Sequence, residues 1–226
     1  MAESFEVEAL PYPFSGERAR TALVVIDMQG DFCTEGGFGH LLGHDVTRTH
    51  AIIPNIQALL DRFRELELPV VHTREGHLPD LSDLPESKLR RSKLGSAGIG
   101  DQGPLGRILI RGEAGHDIIP ACYPLPGEPV FDKPGKGAFY ATELEAYLRA
   151  NDVQYLIVTG VTTHCCVSAT VKEANDRGYD CLVLSDATAA YTDEEHESAL
   201  RILYGNGALF GWVSTTEALL ASLSVR

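Results

Sequence analysis

A chain of 226 residues with 44% hydrophobic and 23% charged side chains suits one large or two small folded domains and needs no disulfide or metal staple. Its 19 lysines and arginines against 32 aspartates and glutamates leave a net charge of −13, a field that repels nucleic acid and anionic lipid surfaces. No apolar run nears the roughly 18–20 residues of a membrane span, and the first twenty residues lack a basic start and an apolar signal core, so a cytoplasmic protein is expected.

Residues 1–20 read as an N-terminal arm. Short Val/Ile/Leu-rich runs then alternate with segments of helical period, the pattern of a doubly wound α/β domain whose parallel sheet is covered on both faces. Six strands are predicted: Ala22–Asp27, Pro69–Thr73, Pro129–Asp132, Tyr155–Thr159, Cys181–Leu184 and Leu209–Val213. Between the first two, Ile52, Ile53, Ile56, Leu59, Leu60, Phe63 and Leu66 fall on one stripe of an amphipathic helix, which Pro69 ends. Further helices are predicted over Thr142–Ala150 with Thr142 as cap, from Cys165 to a stop at Gly178, and from Asp193 to Tyr204. Residues 76–128 are rich in Gly, Pro and charge, with RILI as one possible short strand, and read as a long irregular excursion of the kind that is often functional or oligomeric. With no repeat and no linker, residues 1–226 are expected to form a single domain.

In an open parallel sheet, ligands bind beyond the carboxyl ends of the strands. The first strand ends at Asp27, the third at Asp132-Lys133-Pro134-Gly135-Lys136-Gly137, and the fourth at Gly160-Val161-Thr162-Thr163-His164-Cys165-Cys166. A carboxylate, an ammonium and a thiol thus converge on one edge, a set sufficient for amide hydrolysis by a thiolate. A cysteine in the first turn of a helix also gains backbone N–H groups that lower its pKa and can bind an oxyanion. Singly each residue has a plainer reading: Asp27 as a cap, Lys133 as a surface charge, a cysteine as a small packed hydrophobe. Their shared edge is what joins them.

The five cysteines, Cys33, Cys122, Cys165, Cys166 and Cys181, are odd in number and irregularly spaced, so reduced thiols are expected. Metal sites built from His72, Glu75 and His77, or from His164 with two adjacent cysteines, fit tetrahedral ligation poorly, and no metal is expected. His72 is expected to pack at a strand end, and Arg74 and Glu75 to be structural ion partners. No phosphate-binding or dinucleotide fingerprint is present, so no cofactor is expected.

The segments ALVVIDMQGDF, KPGKGAF and GVTTHCCVSATVKEANDRGYDCLVLSDATAA, in this order over nearly the whole chain, resemble the isochorismatase-like cysteine hydrolases. Within them, HTREGH, AGIGD, the RG-E-G-DIIP pattern and KPGKG resemble the biuret and triuret hydrolase branch. The resemblance implies a six-stranded parallel sheet, a homotetramer, and a triad of Cys166 as nucleophile, Asp27 as general base and acid, and Lys133 as electrostatic partner. It implies a cis Val161–Thr162 peptide and an oxyanion hole of the Thr162 and Cys166 backbone N–H groups. Phe32 and Lys136 match pocket positions, with Lys136 donating to a substrate carbonyl. Asn206 stands where biuret enzymes align a glutamine, and its shorter side chain would suit a longer ureide such as triuret. Many relatives have an acidic and an aliphatic residue where this chain has His164 and Cys165.

The expected partner is therefore a small neutral ureide, with no nucleic acid and no membrane. Rival readings are another amidase of the superfamily, acting on ureidoacrylate, an N-carbamoyl compound or nicotinamide; isochorismate hydrolysis, which needs no thiol; and a non-catalytic binding module on the same fold.

Overall fold

In the computed structural model, which describes residues 3–224, strand β1 (Thr21–Ile26, TALVVI) is buried at every position, as a strand between two covered faces must be. It is followed by β2 (Val70–Glu75), β3 (Val130–Lys133), β4 (Tyr155–Val161), β5 (Asp180–Ala189) and β6 (Trp212–Ser214). These form one parallel sheet in the order β6-β5-β4-β1-β2-β3. The winding reverses between β1 and β4, and that switch point is where such a sheet leaves a crevice for ligands.

The sheet is covered by the helices α1 (Ile53–Glu65), α2 (Leu144–Ala150), α3 (Ser168–Asp176), α4 (Asp193–Ala208) and α5 (Thr216–Ser222). The period of two along β1 sorts them. Leu23 and Val25 face the core that holds Ile56, Leu59, Leu60 and Phe63 of α1 and Leu219 of α5. Ala22, Val24 and Ile26 face the core that holds Leu144 and Leu148 of α2, Val171 of α3 and Leu203 of α4. Thr142 accepts from the Leu144 amide at 3.3 Å, one residue outside the formal cap.

The residues expected as an arm fold back as an antiparallel hairpin, Ser4–Val7 with Phe14–Glu17. Its Phe5, Val7 and Phe14 enter the core, and Leu10 bridges Val213, covering the outer edge of β6. Strand β6 starts at Trp212 rather than at Leu209, because α4 kinks at Gly205-Asn206-Gly207 and the chain turns through Leu209 and Phe210 before entering the sheet. The excursion over residues 76–128 holds a helix, Glu86–Ser92, a two-residue hairpin, Gln102–Gly103 with Gly106–Arg107, and a 3-10 turn, Pro120–Cys122. Of RILI only Arg107 is in a strand, while Ile108, Leu109 and Ile110 are buried. No helix among the described residues is long and apolar enough to cross a membrane.

Candidate active site

Strand β1 delivers Asp27 at its carboxyl end with φ +50°, a left-handed conformation that a non-glycine residue holds only where its surroundings impose it. Its carboxylate is buried. Oδ1 accepts from Thr73 Oγ1 of β2 at 2.7 Å, and Oδ2 lies 2.8 Å from Lys133 Nζ. The ammonium of this buried ion pair also donates to the Gly135 and Lys136 carbonyls at 3.1 and 2.9 Å. Burial opposes the charge on Lys133, yet the Asp27 carboxylate, the Cys166 sulfur and Glu75 overcome it and hold the ammonium charged.

Strand β4 reaches the same edge by lying tight against β1. At Gly160, with φ +100°, a Cβ would sit 2.0 Å from the Ile26 carbonyl, so only glycine fits. After the cis Val161–Thr162 peptide the chain winds into a π-helical turn, Thr163–Val167, that runs into α3. Wide turns of this kind are frequent at functional sites. The turn carries Cys166 into the buried centre of the edge, while Cys165 stays partly exposed toward a cavity. The loop after β3 is pinned to α3: Ala138 N donates to Thr170 Oγ1 at 3.1 Å and Phe139 N to Glu173 Oε2 at 2.9 Å, with Thr170 bonded in turn to the Cys166 carbonyl at 2.7 Å. The Cys166 turn and the Lys133 loop are thereby one unit.

A fourth buried group joins the three. Glu75, the last residue of β2, accepts from the Cys166 thiol at 3.4 Å, from Lys136 on both oxygens at 2.9 and 3.0 Å, and from Lys88 at 2.8 Å. Burial alone would raise its pKa, but the ammoniums of Lys136, Lys133 and Lys88 outweigh burial and hold its carboxyl well below the usual range. The expected role of Glu75 as an ion partner is thus half of what it does, since it also touches the thiol. The rule that selected Asp27 and Lys133, a polar residue at the carboxyl end of a strand, selects Glu75 equally.

The two adjacent thiols differ. The Cys165 sulfur, burial and the carboxylates of Asp27 and Glu75 push the Cys166 thiol up, against Lys133, so the resting thiol keeps its proton. Cys165 is pulled down to about 7, first by the hydrogen bond from Cys166 and then, against burial, by Lys136. Asp27, Glu75 and Cys166 bring ligand-type atoms within 4.8 Å of one another, but Lys133 already stands beside both carboxylates where a cation would. The cluster is arranged to move a proton.

Above Cys166 lies a cavity of about 170 Å³, walled by Phe32, Phe38, Leu42 and Val161 and edged by Lys136, Thr162 and His164. Asp27, Lys133, Cys166, Thr162, Lys136 and Phe32 are therefore brought together. Lys136 faces this space with its ammonium bonded to Glu75. Asn206 is not brought there. The kink in α4 places it, at φ +51°, on a separate surface cavity with Ser198, Arg201 and Phe210, so within one chain it does not touch a ligand at Cys166.

The floor is fastened to the excursion by two residues that the sequence did not single out. Gln29 accepts from the Glu75 amide at 2.7 Å and donates to the carbonyls of Glu75 and His116 at 3.0 and 2.8 Å. Buried Asp31 accepts from the Leu109 amide at 2.8 Å.

The model of the isochorismatase domain matches residues 21–218 of this chain. The chain belongs to the isochorismatase family. Among curated relatives, a ureidoacrylate amidohydrolase RutB of Methylorubrum extorquens is 32% identical over 96% of this chain and 88% of its own length. The RutB protein of Yersinia enterocolitica is 31% identical over 93% and 92%. Among solved structures of the family's fold, a cysteine hydrolase from Pseudomonas syringae pv. phaseolicola superposes with a TM-score of 0.77 at 27% identity, covering 92% of this chain and 94% of that one. An N-carbamoylsarcosine amidase from Thermoplasma acidophilum superposes with a TM-score of 0.67 at 26% identity, covering 88% and 97%.

Proposed function

We propose that this protein is an amidohydrolase that cleaves the terminal C–N bond of a small neutral ureide, triuret or biuret, and releases ammonia. Cys166 is the nucleophile: as its sulfur attacks the terminal carbonyl, its proton passes to the buried Asp27 carboxylate, which brings an oxygen within 4.8 Å of that sulfur. That juxtaposition of thiol and buried carboxylate is the observation that carries the reading. The tetrahedral oxyanion is bound by the backbone N–H groups of Thr162 and Cys166, and Asp27 returns the proton to the departing nitrogen, which leaves as ammonia. Water, deprotonated through Asp27, then hydrolyses the carbamoyl thioester to the carbamic acid and regenerates the thiol. Lys133 remains charged throughout and steadies the thiolate.

The neutral substrate is supported by the cavity wall. A carboxylate is best held by an arginine fork, and none of the lining residues is an arginine. Lys136 is already paired with Glu75, and Glu195 adds a negative charge to the rim. A second reading, a ureidoacrylate as substrate, is favoured by the names of the curated relatives and shares the terminal ureido group with the first. Ammonia release from triuret, biuret, ureidoacrylate, an N-carbamoyl amino acid and nicotinamide separates these. Release from triuret or biuret that vanishes in Cys166→Ser is the expected result; release from ureidoacrylate alone replaces the first reading by the second.

A further inference from the structure

The cavity holds several polar side chains, and most are already engaged. Lys136 gives its ammonium to Glu75, the Tyr191 hydroxyl donates to the Phe32 carbonyl at 3.1 Å, and His44 lies flat on the Tyr191 ring at 4.4 Å between centroids. His164 and Glu195 are different. They reach the same cavity from two elements, the π-turn and the first turn of α4, and both are partly exposed within it. His164 Nε2 stands 3.9 Å from Glu195 Oε1, too far for a hydrogen bond and close enough for one small polar group to touch both.

Glu195 is held in place for such a contact. Its amide donates to Thr192 Oγ1 at 3.2 Å, and its Oε2 accepts from that hydroxyl at 2.9 Å, a reciprocal cap that leaves Oε1 turned to His164. The π-turn is tied to the same helix turn by Thr163 Oγ1 and His196 Nδ1 at 2.8 Å, so the spacing of the two side chains is fixed by the fold.

We propose that His164 and Glu195 form the subsite that reads the part of the substrate beyond the scissile carbonyl, and that they select an amide over a carboxylate there. The inference rests on the ureide reading and names its specificity device. A distal amide N–H donates to Glu195 Oε1, and the carbonyl of the same unit accepts from the His164 ring. A distal carboxylate has no hydrogen to offer Glu195 and meets its charge, the repulsive element that discrimination between similar substrates requires.

The test is Glu195→Gln, which removes the charge and keeps a side chain able to complete the cap, with kcat and KM measured for triuret and for an N-carbamoyl amino acid. The ratio of kcat/KM values, triuret over the carboxylate-ended compound, is expected to fall about tenfold or more. The fall comes from KM, with kcat for triuret within about twofold and the melting temperature unchanged. His164→Leu is expected to raise KM for triuret and leave that for the carboxylate-ended compound as it was. Ratios that stay fixed in both variants while the wild type turns over triuret overturn this inference and leave the functional reading intact. A wild type that releases ammonia from no neutral ureide overturns the functional reading and this inference with it.

Discussion

Strands β2 and β3 place two opposite-charge pairs one residue apart, Arg74 across from Asp132 and Glu75 across from Lys133, and the pleat sends them to opposite faces. The first pair is half-exposed and saturated. Arg74 forks onto Asp132 at 2.7 and 3.1 Å and reaches Asp117 at 3.0 Å, with His116 beside Asp132. The second pair is wholly buried, 3.9 Å apart and without a mutual hydrogen bond, because Glu75 is bonded to Lys88, Lys136 and the thiol, and Lys133 to two carbonyls. The outer pair fastens strands. The inner one keeps its charge available to a reacting group, at a desolvation cost of several kcal/mol per ion that strand fastening would never justify.

The difference is sharpest in turnover. Cys166→Ala is expected to lower kcat for the best ureide to about 10⁻⁴ of wild type or less with the circular dichroism spectrum unchanged. Cys165→Ala is expected to keep at least about a third of the activity, although its thiol is the more acidic of the two. The reverse result moves the nucleophile to Cys165.

Stability separates the pairs next. Glu75→Gln leaves three ammoniums without their shared carboxylate and is expected to cost about 3–5 kcal/mol in urea denaturation. Arg74→Ala should cost about 1 kcal/mol, since its partners are reached by water. Equal losses would mean that the inner charges are no more than structural.

Acid provides a third separation. Burial opposes ionisation of Glu75, but Lys136, Lys133 and Lys88 depress its folded pKa. Its stabilisation is therefore complete above the unfolded value of about 4.3 and declines as the pH falls below it. Asp132 follows the same sign, its pKa being lowered to about 2 by His116 and Arg74 against burial, so its contribution is lost between about 3.9 and that value. Glu75→Gln should flatten the acid limb of the stability curve more than Asp132→Asn does. The smallest effect is expected at Asn206→Gln: under about 1 kcal/mol of stability, from the left-handed backbone there, and a triuret-to-biuret ratio of kcat/KM within about twofold of wild type. A larger change in that ratio would mean that Asn206 reaches the site of a neighbouring copy.

Much of this was legible because strand ends are. Asp27 closes a run of buried aliphatics, Lys133 ends β3 and Cys166 follows β4 by one turn, and parallel pairing brings such ends to one edge. Helix α1 announced itself by spacing, and Ile56, Leu59, Leu60 and Phe63 are buried as that stripe requires. The hairpin at Ser4–Glu17 did not, because two four-residue strands show too few alternations to reveal a period, and their burial depends on a distant partner, Trp212. Asn206 was misplaced for a related reason. Alignment fixes its position in the chain, whereas the left-handed turn at Asn206-Gly207 decides which way the side chain faces. Gln29 and Asp31 were invisible since their partners are backbone groups, at the end of β2 and in the irregular excursion, which carry no residue signature.

Gln29 gives the molecule a gauge of its own motion. The amide proton of Glu75 is held by the Gln29 side chain, and the same side chain grips the His116 carbonyl of the excursion. Exchange of that single proton with deuterated solvent therefore requires the clasp between excursion and floor to let go, and its protection factor measures how often the buried carboxylate beside Cys166 is laid open.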